Sequence, residues 1–285
     1  MNKSICHSIF ICHFFLDRSK TNTIESVNES WQYSVLDYAK LHKISTGKTQ
    51  TIALIDSGVS SSQKSKDDIS LIDKDVLDKN GHGTMMYSII KGYKDQIIGI
   101  SPDADILSIK ILGEDESIKP AKIAEAISLA IEKKVTIINL SVASYKNNEN
   151  VAAAIKKANE KNITVISSSG DYSDTDLMFP ANMQEVISVG ALDKELKPME
   201  MTSGPELTTI NAPGENIKTL GLDNEIFNSS GTSQATALIS GYVALMKDYA
   251  VTQHINLKNS QIVKYLKMIK NDKSTYYDIL QNEIK

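Results

Sequence analysis

Phe227-Asn228-Ser229-Ser230-Gly231-Thr232-Ser233-Gln234-Ala235-Thr236-Ala237 is the stretch on which the reading of this chain turns. A small-residue turn ends in Gly-Thr-Ser and passes directly into Ala235 to Met246, an apolar segment whose spacing predicts a helix. A serine at a helix's amino end sits among unpaired N–H groups, where developing negative charge is favoured. That position suits a nucleophile whose transition state is an oxyanion. Taken alone the motif has a plainer explanation, because Thr and Ser commonly cap helices. Its meaning depends on what lies upstream.

The chain has 285 residues, enough for one large domain or two ordinary ones. With 41% hydrophobic and 23% charged residues it has the balance of an ordinary globular protein. A net charge of −4 is too small to argue for a nucleic-acid or anionic-membrane partner. The only cysteines, Cys6 and Cys12, leave the body of the chain without a disulfide framework, which suits a reducing compartment. Cys6-His7 and Cys12-His13 lack a second ligand pair at structural-zinc spacing, so no metal is expected there. The apolar run Ser4 to Leu16 has about the length of a signal peptide and follows Lys3. It is broken by His7 and His13, however, and leads into Asp17-Arg18-Ser19-Lys20 rather than a small-x-small cleavage site. It is also too short to span a bilayer. The expectation is no export and no transmembrane segment.

From Trp31 onward, strand-like and helix-like segments alternate. Thr51 to Ile55, Ala104 to Ile111, Val135 to Leu140 and Ile163 to Ile166 are β-branched apolar runs that predict buried strands. Between them, Thr84 to Lys91, the segment opened by Lys119-Pro120, and Asn150 to Lys161 predict helices. Ser60 to Lys79 is polar and reads as a surface connection, and Ser260 to Lys270 shows a helical stripe suited to a core. Repeated strand–helix–strand units with continuously apolar strands predict an α/β fold. The sheet is expected to be doubly wound and mainly parallel, with helices on both faces, in a single domain over residues 31–285. Residues 1–30 are expected to be a lead-in without a prodomain. Such sheets place their sites in loops at the carboxyl ends of the strands, here after Ile55, after Ile166 and before Ser233.

Asp56-Ser57-Gly58 follows the first strand, and Asn80-Gly81-His82-Gly83-Thr84 opens the first helix. A histidine between two glycines has little bulk around it and is open to both a partner and a substrate. With Ser233, these residues supply a carboxylate to orient an imidazole, the imidazole as base and a hydroxyl as nucleophile. The order Asp, His, Ser along the chain is one of the few in which that constellation occurs.

Ile55-Asp56-Ser57-Gly58, His82-Gly83-Thr84 and Gly231-Thr232-Ser233-Gln234-Ala235 resemble the three signature blocks of the subtilisin-like serine proteases. The resemblance runs from about Trp31 to the C-terminal region. It extends to Gly99-Ile100-Ser101-Pro102, Asn139-Leu140-Ser141, Phe179-Pro180, Val189-Gly190-Ala191 and Ala212-Pro213-Gly214. It implies that Ser233 attacks the scissile carbonyl, that His82 carries the proton to the leaving amine, and that Asp56 holds His82. It further implies that Ser141-Val142-Ala143 and Ser167-Ser168-Ser169-Gly170 line the primary specificity pocket and pair with an extended substrate by strand addition.

The chain departs from the family pattern in four places. Where the family has an asparagine that donates to the oxyanion, this chain has Asp171. Loss of such a donor costs about a hundred- to a thousand-fold, a figure established in subtilisin itself. A protonated carboxyl can donate, so Asp171 is expected to act in its neutral form beside the backbone N–H of Ser233. The alternative is that Asp171 points away and a water serves. The usual Pro-His after the serine block is Ala237-Leu238, at positions that belong to helix packing. Lys91 to Ile97, where the family's strong calcium loop lies, holds a single acid, Asp95, so no cofactor and no tight calcium site are expected. Finally, only about thirty residues precede the region of resemblance, too few for the folding prodomain of secreted members.

Together these features resemble a compact lantibiotic leader peptidase, which implies a cytoplasmic serine endopeptidase acting on a leader-bearing precursor peptide. Two other readings stay open: an intracellular subtilase of general protein turnover, and a catalytically silent fold that binds a peptide. Asp174 and Asp176, in the expected pocket-wall loop Tyr172 to Met178, are either a preference for a basic residue before the cut or solvated loop acids.

Overall fold

The sequence Thr-Ile-Ala-Leu-Ile-Asp, residues 51–56, is apolar on both strand faces because both are covered. Ile52 and Leu54 pack into one core and Ala53 and Ile55 into another. The computed structural model describes residues 9–11, 15–17, 30–113, 117–271 and 273–285. The strands are β1 (Ile9–Ile11), β2 (Phe15–Asp17), β3 (Thr51–Asp56), β4 (Asp67–Ser70), β5 (Gly92–Tyr93), β6 (Ile97–Ile98), β7 (Asp105–Lys110) and β8 (Ser117–Ile118). They continue as β9 (Ile137–Leu140), β10 (Val142–Ala143), β11 (Thr164–Ser168), β12 (Val186–Leu192), β13 (Ile210–Pro213), β14 (Ile217–Leu220) and β15 (Ile226–Ser230). The helices are α1 (Trp31–Leu36), α2 (Tyr38–Ile44), α3 (His82–Lys91), α4 (Pro120–Glu132), α5 (Glu149–Glu160), α6 (Thr232–Thr252), α7 (Asn259–Lys270) and α8 (Tyr276–Asp278).

The central sheet has seven strands in the order β13-β12-β11-β9-β3-β7-β4, every neighbouring pair parallel. Strand order reverses around β3, so crossovers run to both sides and helices cover both faces, as the sequence predicts for a doubly wound α/β domain. On one face α4 and α5 close a core with Ile123, Ile127, Val151 and Ile155. On the other, α3 and α6 pack on the sheet and α7 lies against β13, and Leu36 of α1 and Leu41 of α2 join the same core. Helix α6 is buried on nearly all sides from Thr232 to Ala250, which explains why its sequence is apolar without a polar stripe. Ile262 and Leu266 of α7 are fully buried, so that stripe belongs to the core.

Register decides where the site forms. Ile55 pairs with Leu140, and Leu140 with Ser167, so β3, β9 and β11 end side by side. Their continuations carry Asp56, Ser141 and Ser168 to one rim of the sheet.

Three expectations need correction. The connection Ser60 to Lys79 contains a strand, β4, paired parallel to β7 at the sheet edge; Asp67-Asp68-Ile69-Ser70 is too polar to announce it. The stretch before Ser233 is not a turn: Ile226–Ser230 is a strand that pairs with β14 and β2. The first thirty residues do not simply lead in, since β1 and β2 pair with strands at the site's rim. Cys6-His7 and Cys12-His13 lie outside the described residues, as does most of the run Ser4 to Leu16. Among the described residues no helix is long and apolar enough to cross a membrane. The segment Lys91 to Ile97 forms the end of α3 and the β5–β6 hairpin, with Asp95 exposed. No group of three or more His, Cys, Asp or Glu among the described residues is arranged to hold a metal.

Candidate active site

Asp56 ends β3 with its side chain buried, and Ser57 N–H donates to its Oδ1 at 2.8 Å. His82 is the first residue of α3 and is fully buried. Its Nδ1 lies 2.9 Å and 3.0 Å from the two carboxylate oxygens of Asp56. Asp56 therefore fixes both the ring's orientation and its tautomer, leaving Nε2 for proton transfer. Burial is the largest influence on the His82 pKa and lowers it. The Asp56 charge and hydrogen bond, then Asp78 and Asp171, raise it, and the net shift is upward.

The start of α3 is held by a residue the sequence reading passed over. Asp78 Oδ1 accepts from Asn80 and Gly81 N–H, both at 2.9 Å, and its Oδ2 accepts from Thr84 N–H at 2.9 Å and Thr84 Oγ1 at 2.6 Å. Asn80 Oδ1 accepts from His82 N–H at 3.2 Å. These bonds satisfy the orphan donors of the first turn and set the height of the imidazole over β3. An Asp four residues before the helix-opening histidine was the available signal. Gly83 then allows close approach: a Cβ there would stand 2.1 Å from Gly58 O, where Gly83 N–H instead donates to Ser57 Oγ at 2.9 Å.

Ser233 is the second residue of α6, immediately after β15 and Gly231. Its Oγ is buried and has no hydrogen-bond partner among the described residues. A buried hydroxyl without a partner costs stability, and such sites tend to be functional. The neighbouring Thr232 N–H donates to Asp171 Oδ1 at 2.9 Å, which ties the start of α6 to the loop after β11. Asp171 is partly exposed as a residue, but its Oδ2 is buried and makes no hydrogen bond among the described residues. Burial pushes this carboxyl up to about 7, against the opposing pull of the Thr232 hydrogen bond and the His82 charge. Asp171 is thus both adjacent to Ser233's helix and within electrostatic reach of His82.

Ser141, Val142 and Ala143 follow β9, and Ser167, Ser168, Ser169 and Gly170 end β11 and run on from it; all the side chains among them are buried. Asn139 braces the first segment, accepting from Ser240 Oγ of α6 at 2.8 Å and donating to Ser141 Oγ at 3.3 Å. Between the two segments lies Met178, a second residue missed from the sequence. It is 4% exposed and packs on Ala143 and Tyr172. Its Sδ lies 2.5 Å from where a Cβ would stand at Gly170, so the thioether crosses from one wall to the other. Asp174 Oδ1 accepts from Asp176 N–H at 3.2 Å, and Asp176 is exposed. These two acids organise their own loop, and the side chain packed between the walls is Met178.

The profile of the Subtilase family matches residues 47–277, a span that contains Asp56, His82, Asp171 and Ser233. The "Thermostable alkaline protease" of Halalkalibacterium halodurans is 29% identical over 240 residues, covering 81% of this chain and 65% of that protein. The "Intracellular serine protease" of Paenibacillus polymyxa is 34% identical over 180 residues, covering 61% of this chain and 55% of that protein. The "Major intracellular serine protease" of Bacillus subtilis is 30% identical over 222 residues, covering 71% and 70%. The matches to the first two relatives thus span less than two thirds of those proteins' length. Among solved structures, the prenylagaramide maturation protease PagA superposes with a TM-score of 0.71 at 24% identity, over 80% of this chain and 86% of that one. The chain belongs to the subtilase family.

Proposed function

We propose that this chain is a serine endopeptidase that removes the leader from a modified, lantibiotic-type precursor peptide in the cytoplasm. The observation that carries the reading is the Asp56–His82 contact at the start of α3, with Ser233 opening the helix packed beside it. Ser233 Oγ attacks the scissile carbonyl as His82 Nε2 takes its proton. The backbone N–H of Ser233 and a neutral Asp171 receive the negative charge on oxygen. His82 then returns the proton to the leaving amine, and a water repeats the cycle to release the acyl group. A peptide would be read by main-chain pairing along Ser141–Ala143 and Ser167–Gly170.

Met178 packs between the two segments expected to line the specificity pocket, a placement that would restrict the residue before the cut to a small side chain. The family relatives named intracellular proteases, and a fold neighbour named for maturation, are consistent with the proposed processing. Met178→Ala is expected to narrow the preference for Ala over Leu or Phe before the cut by about tenfold or more. One methylene in such a pocket is worth roughly 1–3 kcal/mol. Measuring kcat/KM on peptides that differ only at that residue checks it; an unchanged ratio places Met178 outside the pocket.

The function itself is tested by labelling with a fluorophosphonate probe, with Ser233→Ala as control, and by comparing cleavage of a lanthionine-bearing precursor with denatured casein. Ser233-dependent labelling and a single cut at the leader junction support the reading. Rapid cleavage of casein at many sites favours general turnover. No labelling at any pH from 5 to 9 favours a silent peptide-binding fold.

A further inference from the structure

Lys110 ends β7, yet its side chain is only 2% exposed. In the parallel register it stands opposite Asp56, and Asp56 O accepts from the N–H of the next residue, Ile111, at 2.8 Å. The ammonium thus leaves from the strand beside the one that ends in Asp56. Nζ donates to Asp75 O at 2.8 Å, Leu77 O at 3.0 Å and Asp73 Oδ2 at 3.3 Å. Those three acceptors match the three donors of an ammonium. An ammonium can be buried only where other oxygens replace its water, and here a single loop supplies them. The loop is shaped for the purpose. Asp73 Oδ1 accepts from Ser70 Oγ and Asp75 N–H, both at 2.9 Å, and Asp75 Oδ1 accepts from Leu77 N–H at 3.0 Å. Such side-chain turns bend the backbone locally, and the carbonyls of Asp75 and Leu77 converge on the ammonium.

Leu77 is followed by Asp78, whose two oxygens hold the first turn of α3 and with it His82. Asp78 N–H donates to Val59 O at 3.0 Å, and a Cβ on Gly58 would stand 2.7 Å from Val76 O. The loop therefore lies between the residues that follow Asp56 and the helix that opens with His82. We propose that Lys110 is a positioning residue for the peptidase reaction: its ammonium is a fixed cation that holds residues 73–77 and, through Asp78, sets His82 against Asp56. The proposal rests on the peptidase reading above. Lys110 takes no part in bond making and never touches the substrate. Its effect on rate comes from the placement of the imidazole, and a displacement of about 1 Å at a reacting group can cost on the order of a hundredfold.

The test compares the full-length wild type with Lys110→Ala and Lys110→Gln. Lys110→Ala leaves a gap the shape of propylammonium, and Asp73, 47% exposed at the same contact, gives that ion a way in. Lys110→Gln fills most of the gap with a neutral donor and serves if the alanine variant does not fold. In each folded variant, kcat on a cleaved peptide and the rate of fluorophosphonate labelling at Ser233 are expected to fall on the order of a hundredfold. KM is expected to stay within about twofold, as it does when an interaction is lost only in the transition state. Propylammonium is expected to restore kcat of Lys110→Ala, and 1-propanol of the same shape is expected not to. A folded Lys110→Ala or Lys110→Gln with wild-type kcat overturns the positioning role, even if its melting temperature drops, and leaves the peptidase reading standing. A loss carried by KM alone overturns it as well. Rescue by both compounds alike, or by neither, overturns the cation. A wild type that does not label at Ser233 overturns the peptidase reading and this proposal with it.

Discussion

Ser233→Ala is expected to lower kcat on any cleaved peptide by on the order of 10⁵-fold or more without lowering the melting temperature. The first half follows from the roles of Asp56 and His82. A base held by a carboxylate at 2.9 Å has no function in peptide hydrolysis once the hydroxyl it serves is gone. In subtilisin, removing the serine alone costs about as much as removing the whole triad. The second half follows from the environment of Oγ. It is buried and accepts and donates nothing among the described residues, so its deletion removes a polar group whose burial is not compensated. The variant is expected to be equal in stability or more stable by up to about 1 kcal/mol. Thermal unfolding and single-turnover kinetics on the same preparation check the two together. A large drop in melting temperature would show that the serine is a structural cap. Residual activity within a hundredfold of wild type would remove it from the chemistry.

Much of this arrangement is legible from local signals. The strand Thr51–Asp56, the helix after His82 and the helix after Gly231 each carry the periodicity of their environment, and the three short motifs sit where elements meet. What escaped is non-local. Asp78 reads as one more acid in a polar loop until the fold turns its two oxygens onto four donors around α3. Met178 reads as an ordinary apolar residue before Phe179-Pro180. Its significance comes from Gly170, whose missing Cβ leaves room for the thioether between two walls that are far from adjacent in sequence. Strand β4 was hidden by Asp67-Asp68, which an edge strand tolerates because one side is solvated. The pairing of Ile9–Ile11 was invisible for a related reason. An apolar N-terminal run looks like a targeting segment or a loose end unless its pairing partners are known, and those lie more than a hundred residues away.

Asp171→Asn is expected to convert a narrow, bell-shaped pH–rate profile into one that rises and stays high, with a gain on the order of a hundredfold at pH 9. In the wild type, burial holds the Asp171 carboxyl up to about 7. Below that pH it carries a proton and can donate to an oxyanion. Above it the ionised group repels the same oxygen, and the loss of one donor is worth about 10²–10³ in rate. His82 imposes the opposite limb, since its pKa is raised and it must be neutral to act as base. The productive state, with His82 neutral and Asp171 protonated, contains the same number of protons as the ion pair of imidazolium and carboxylate. No choice of pH converts one into the other, so the wild-type maximum is capped by their internal balance and the two limbs belong to the pair. An asparagine breaks this coupling: it donates at every pH and withdraws one of the carboxylates that raise the His82 pKa, moving the acidic limb downward. Stability carries the matching sign. A carboxyl at about 7 in the folded chain and near 3.8 when unfolded binds more protons folded than unfolded across that interval. This carboxyl's contribution to wild-type stability therefore falls as pH rises from 4 to 7, by up to about 4 kcal/mol at 1.36 kcal/mol per pKa unit. Asp171→Asn is expected to lose that slope. Rates and urea midpoints measured for both proteins from pH 5 to 9 decide the matter. An alkaline decline that persists in Asp171→Asn, or a wild-type rate that is flat to pH 9, would show that the carboxyl takes no part in holding the oxyanion.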